Sequence, residues 1–468
     1  MQGFMSGEAS MRWSRSTSFN HFKAALLGGA LVFPLALSAN AMTLQEAVEQ
    51  AIATNPDIGI VASNREAVDQ ELRQARGLYL PQIDVAAGIG LESFNDPTSR
   101  ATDSGDSEGT TRQESSITLQ QRLFDGFEAG ATVEREMARV ESAANRVMEN
   151  SEVLALDAIG VYLEVLRQRA LVRLSEDNVA YHLQVLDSMR ARLEGGGGSA
   201  ADVDQTEARV ARAQNSLITS LQDLRDSEAV FTRIIGSFPS NDLSDPEFPA
   251  AALPDDLEGA VLLAVRNNPT TKIFEADVRT AEAEIELAEV PLYPAITLEA
   301  QSEYNDGTSA LDTYEFNNQV MVRVRWNLFR GGIDRAARQE ALFRLTESKN
   351  RRYRSVLEAQ REMRSSWFAL EGSRDSIVAL EAARDFNRLT LAAYEEQFEV
   401  AQRTLLDVLD AENELFTSDG QLITAQTNEQ LASYRILGVA GVLLETVGVS
   451  APEQAVVEHK SWAEGLVD

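Results

Sequence analysis

Side chains capable of chemistry are abundant in this 468-residue chain, yet few stand in a pattern that a reaction could use. His182 is followed by Leu-Gln-Val-Leu, so the glutamate and second histidine that a helical zinc protease needs are missing. Gly88-Ile-Gly90 lacks the third glycine of a dinucleotide loop. Gly195 to Gly198 has no following lysine to complete a phosphate cradle, and that run reads as a turn. The chain has no cysteine, which excludes disulfides, thiolate zinc sites, iron–sulfur clusters and cysteine nucleophiles. Its three histidines, His21, His182 and His459, are far apart in sequence. With 73 acidic residues, paired carboxylates arise by chance and carry no hydrolase assignment. Asp407 and Asp410 keep their interest because their i, i+3 spacing lets both face one side of a helix. No enzyme, metal or cofactor is expected.

Charge narrows the partners. Lys plus Arg (42) against Asp plus Glu (73) gives −31, which argues against nucleic acid because phosphate contacts need clustered cations. At 44% hydrophobic and 25% charged, the composition is neither that of a helical membrane protein nor that of a disordered chain. Residues 1–41 read as a secretory signal: Arg12, Arg15 and Lys23 precede an apolar run from Ala24 to Leu37, and Ala39-Asn40-Ala41 supplies the small-x-small cleavage pattern. No later segment is apolar enough for a membrane helix, so any bilayer crossing must use strands.

An internal repeat organises the rest. Leu44, Ala47, Val48, Ala51, Asn55 and Pro56 recur 213 residues later as Leu257, Ala260, Val261, Ala264, Asn268 and Pro269. Beyond a Ser/Thr/Asp/Gly-rich interval the offset becomes 205, and Leu123, Phe124, Gly126, Asp202 and Glu207 recur as Leu328, Phe329, Gly331, Asp407 and Glu412. A length change inside a polar loop is where an indel is tolerated. The expected organisation is therefore a first unit at 42–235, a Pro-rich linker at 236–256, a second unit at 257–447 and a tail at 448–468.

Each unit reads as helix, hairpin, then two long helices. A capping-box pair, Thr43 and Glu46, opens an apolar-periodic run continuing to about Arg76, with a counterpart from Asp255. Pro81 and Pro294 end these helices and open strands, giving hairpins at 82–124 and 295–329. Alternation puts Val320, Val322, Val324, Trp326 and Leu328 on one face of the last strand, and Met321, Arg323, Arg325 and Asn327 on the other. Ile83, Val85, Ala87, Ile89 and Leu91 share a face of the first. Strands of about ten residues suit a tilted transmembrane strand. A soluble sheet with one buried face shares the alternation. Phe94, Phe124, Tyr293, Tyr304, Tyr314, Phe316 and Phe329 lie near strand ends, where an aromatic girdle would sit. From Phe127 to Glu194 no convincing breaker occurs, and two apolar stripes, one through Val133, Val140 and Val147, predict a helix of about 100 Å packed on both sides. The segment from about Gly331 to Val400 repeats it. Return helices are expected from Ala200 to about Ile235 and from Thr404 to about Glu445.

Four strands cannot close a membrane barrel, whose minimum is about eight, and open edges are not tolerated in lipid. The chain must therefore oligomerise, and its long helices would continue the barrel as a duct. An intracellular coiled-coil scaffold would share the helical pattern without the signal or the hairpins. A periplasmic coiled-coil adaptor would have one hairpin and flanking β-domains.

Two hairpin–helix repeats behind a signal peptide resemble the TolC family of outer-membrane channels over roughly residues 42–447, and the segment Phe398 to Phe416 is similar to the signature of members serving type I secretion. The resemblance implies a trimer whose twelve-stranded barrel lies in the Gram-negative outer membrane, a helical periplasmic tunnel, and an equatorial domain at the linker and tail. It implies work with a periplasmic adaptor and an inner-membrane ABC or proton-driven transporter, in type I protein secretion or, alternatively, small-molecule efflux. Asp407 and Asp410 match aspartates lining the periplasmic entrance, and Arg403 and Asp202 match members of the polar network that shuts it. Val320, Val322, Val324 and Trp326 would face lipid. Departures are Phe398 in place of the network's tyrosine, Ala201 for a threonine, and Ala401 for a glycine, which puts the bend there in question. The closed state is then expected to lean on Arg403 and Asp202.

Overall fold

The structure, a computed structural model, describes residues 41–93, 110–307 and 314–457. Residues 1–40 of the expected signal, Phe94 and residues 458–468 lie outside them. Among the described residues, each half begins with a short helix and a longer one: α1 (Leu44–Thr54) and α2 (Pro56–Gly77), then α5 (Leu257–Asn267) and α6 (Pro269–Glu289). The capping box forms as its spacing predicts, with the Thr43 amide donating to Glu46 Oε2 at 2.9 Å and the Glu46 amide to Thr43 Oγ1 at 3.2 Å. The single helix expected to reach Arg76 does not form. Asn55 caps the second helix with its side chain and Pro56 occupies its first position, where a missing N–H costs nothing. Asn268 and Pro269 repeat the break.

Strands β1 (Gln82–Glu92), β2 (Thr110–Phe124), β3 (Ala295–Asp306) and β4 (Tyr314–Arg325) form one antiparallel sheet in the order β1-β2-β3-β4. The middle pair joins the two halves of the chain, with Leu119 opposite Ala300, and the register shifts once between Arg122 and Phe124. Pairing of β4 ends at Arg325 opposite Ala295, because Pro294 precedes it and has no N–H to give. Trp326 and Leu328 therefore lie beyond the strand, short of the hairpin end expected at 329.

Two helices of 67 residues follow, α3 (Glu128–Glu194) and α7 (Ile333–Glu399), each about 100 Å long. Helices of 36 residues return beside them, α4 (Ala200–Ile235) and α8 (Leu405–Ala440). The latter ends at Ala440, five residues before the expected Glu445, capped by Gly441, and a short α9 (Leu443–Val447) follows. Gly441 has φ 69°, and an added Cβ would meet Asn267 O and Pro269 Cδ at 2.8 Å, so a side chain there is excluded by both backbone and space. Its repeat partner Gly236 caps α4 in the same conformation.

The largest core lies at mid-height of α3. Ala155, Ala158, Ile159 and Tyr162 pack there against Val48 and Ala51 of α1, Phe231 and Ile235 of α4, Leu437 near the end of α8 and Leu443 of α9. The Tyr162 hydroxyl lies 2.7 Å from both Met42 O and Ser244 O, fixing Met42 beside the 236–256 segment. Asn55 Nδ2 donates to Ile234 O and Asn268 Nδ2 to Val439 O, so the same asparagine in each half ties down the end of a return helix. On one side of this belt, α2 packs on α3 through Val68, Leu72, Val133 and Val140. On the other, α3 pairs with α4 and α7 with α8.

Candidate functional site

The sheet separates its two faces by chemistry. In register, Val320 stands opposite Ala300, Val322 opposite Leu298 and Val324 opposite Ile296, extending the apolar face across β3. Ile117 opposite Val85 and Leu119 opposite Ile83 carry it across β1 and β2. This face is bare: Val320 is 73% exposed and Leu91 83%. The opposite face holds ionic pairs, with Arg323 on Glu299 at 2.8 Å and Arg112 on Glu114 at 2.8 Å. Trp326 sits past the strand, its Nε1 donating to Leu292 O at 3.2 Å. Near it Phe127 packs edge-on against Phe124 and Tyr293, and at the far end of the strands Tyr304 stacks on Tyr314. Aromatic rings thus flank both ends of the apolar band.

The second group of candidates lies where the long helices turn back, opposite the sheet. Gly195 to Gly198 forms the turn from α3 into α4, as read, and residues 400–404 that from α7 into α8. Ala401 has φ 62°, so the bend survives the loss of glycine at the expense of about 1–2 kcal/mol of backbone strain. Thr404 caps α8 in a reciprocal box with Asp407. The Thr404 hydroxyl and amide donate to Asp407 Oδ2 at 2.8 and 3.1 Å and hold that carboxyl below its ordinary pKa. Asp410, one turn on, accepts from Arg209 of α4 at 2.6 Å. Asp407 and Asp410 are therefore neighbours on one helix, and each already has a partner within the chain.

Arg403 stacks over the Tyr394 ring at 4.2 Å and donates to Gln397 Oε1 at 3.0 Å. Among the described residues no ion pair joins it to Asp202, which sits in the first turn of α4 behind the Ser199 cap. Phe398 is packed against the Met189, Leu405 and Leu409 cluster beneath the Arg192 guanidinium, 4.5 Å from its centroid. Within one chain the links between the α3–α4 and α7–α8 hairpins are thus not the expected ones. They are Arg209 to Asp410, Tyr181 to Glu395 at 2.8 Å, and His182 to Glu412 at 3.2 Å. Burial and the adjoining Glu395 push the Tyr181 phenol up. Sequence reasoning missed these residues. A signal existed for one: His182 continues a buried heptad series through Ser175, Leu186 and Met189, so a titratable group occupies a core position.

Comparison with known proteins follows this geometry. The model of the outer membrane efflux protein family matches residues 47–237 and 261–442, one match to each half of the chain. The outer membrane efflux protein BepC of Brucella suis biovar 1 (strain 1330) is 26% identical over 450 residues, covering 95% of this chain and 96% of BepC. The alkaline protease secretion protein AprF of Pseudomonas aeruginosa is 25% identical over 432 residues, covering 90% of this chain and 88% of AprF. The crystal structure of the outer membrane protein VceC of Vibrio cholerae shares the fold, with a TM-score of 0.71 at 16% identity over 87% of this chain and 97% of VceC. A double family match, an apolar-banded sheet and paired 67-residue helices converge: the chain belongs to the outer membrane efflux protein family, the TolC-like channels, not enzymes, of the Gram-negative outer membrane with a large periplasmic part.

Proposed function

We propose that the protein is the exit duct of a type I protein secretion system, acting as a homotrimer with a periplasmic adaptor and an inner-membrane ABC transporter. The observation that favours protein cargo is the likeness to AprF, whose name records secretion of a protease, together with the signature-like segment from Phe398 to Phe416. Association of copies is supported by what one chain leaves uncovered. Among the described residues, strands β1 and β4 each pair on one side only, and lipid does not tolerate an open edge. Along α7, Phe343, Tyr353, Phe368, Val378 and Phe386 are all more than half exposed, a face that three copies would cover in a ring. Val320, Val322 and Val324 face lipid, with Trp326 at its border, while Arg323 and Arg325 face the lumen.

At the periplasmic end Asp407 and Asp410 line the mouth, and Arg403 and Asp202 belong to contacts that close it between copies. Crowded like charges there concentrate cations and disfavour anions. The cargo reading is tested by deleting the gene and comparing the culture medium with drug tolerance. Loss of a secreted protein with unchanged tolerance is expected. Unchanged secretion with heightened sensitivity to small toxic molecules would make the protein a drug-efflux duct instead.

A further inference from the structure

We propose that His182 and Glu412 form a proton-sensitive latch that holds the two helical hairpins together near the mouth, so that acid closes the duct and base releases it; the inference rests on the reading of this end as a gate. His182 belongs to α3 and Glu412 to α8, so their contact spans the first and second halves of the chain. The His182 side chain is 6% exposed and that of Glu412 is 9%. Nε2 and Oε2 lie 3.2 Å apart without the alignment of a hydrogen bond, and His182 Nδ1 has no partner. A structural hydrogen-bond network would satisfy these atoms; this pair is held by proximity and is left short of bonds.

The physical consequence follows from charge. With neutral imidazole, closing the hairpins buries a lone carboxylate, an expensive arrangement. A proton on His182 converts it into a charge-balanced pair inside the same apolar wall, which includes Leu391 and Val408. When the hairpins part, both groups return to water and the distinction vanishes. Proton binding at this site therefore favours the closed arrangement, and histidine is the side chain whose charge changes in the range the periplasm experiences. Tyr181 of α3, packed edge-on against the His182 ring and within the field of Glu412, donates to Glu395 of α7, and on neighbouring turns Arg209 of α4 pairs with Asp410 of α8. Neither pair offers a vacant group for the proton.

The test is single-channel recording of the full-length assembled protein in planar bilayers between pH 8 and pH 6. The wild type is expected to lose open probability on acidification by about tenfold. His182→Gln should change less than about twofold over that range. If His182→Gln fails to assemble, Glu412→Gln serves, because without the carboxylate a proton on His182 gains nothing from closure. A wild-type pH response in either latch variant would overturn the latch while leaving the duct intact. Absence of any pore would overturn both.

Discussion

The sheet allows a graded prediction, because position along β4 sets depth in the membrane. The strand ends at Arg325 beside the aromatic cluster, and Val320 lies five residues inside that end. At about 3.3 Å per residue and a tilt near 40°, this puts Val320 about 13 Å deep, close to the middle of an apolar band about 25 Å tall. Val322 lies at about 8 Å by the same reasoning. A lysine at Val320 should cost about 2–4 kcal/mol per chain, and about 6–12 kcal/mol in a trimer, with Val322→Lys somewhat less harmful. Met321 points to the other face and stands opposite Glu299 in register, so a lysine there meets an opposite charge and should cost under about 0.5 kcal/mol. The assay is the melting of the heat-resistant oligomer on semi-native gels, for variants extracted from the outer membrane. The expected order of damage is Val320→Lys, then Val322→Lys, with Met321→Lys near wild type. Equal tolerance of Val320→Lys and Met321→Lys would refute the assignment of faces.

Other expectations concern the helical part. Burial raises Glu152 to about 7 although it accepts the Leu443 amide, so folding pays for its ionised form. That cost is absent below the unfolded carboxyl's range near 4.5, grows as pH rises to about 7 and then levels off; stability falls across this window. Glu152→Gln should therefore raise the melting temperature at pH 8, by up to about 3 kcal/mol per chain, and flatten its dependence between pH 5 and 7.5. Ala401→Gly relieves a left-handed alanine and should stabilise the α7–α8 turn by about 0.5–1 kcal/mol, read by thermal melting. Tyr162→Phe removes the buried hydroxyl that Met42 O and Ser244 O share, leaving Met42 O the Ser244 amide at 3.1 Å, and should destabilise the belt by about 1–3 kcal/mol in denaturant titrations.

Much of this architecture was legible because its periodicities are long and uninterrupted. Alternation over β1 and β4 marks two faces in contrasting surroundings, and 67 residues without a breaker can only be a rod. The misreadings came where a local signal competed with a periodic one. Asn55-Pro56 is a helix start in its own right, yet the apolar period runs through it. Alternation continues past Arg325 to Leu328, but hydrogen bonding stops where Pro294 removes the partner. At the mouth, the acidic pair was visible as an i, i+3 spacing, whereas its partner was not. Arg209 reaches Asp410 across 201 residues, and only the packing of α3 on α8, with α4 paired to α3, brings them together. Ala401 shows the converse, since its type argued against the bend and the turn's own backbone hydrogen bonds, Ala401 N to Phe398 O and Gln402 N to Gln397 O, hold it.

A duct through the outer membrane with a narrow, acidic periplasmic mouth should discriminate between ions by their charge. Ion selectivity of the purified protein in planar bilayers, measured with a trivalent cation added to one side and then the other, tests it most directly. A cation-selective conductance blocked from one side only, with block weakened in Asp407→Asn, Asp410→Asn, is the expected result. A membrane-inserted protein that passes no ions, or an anion-selective pore indifferent to those substitutions, would contradict it.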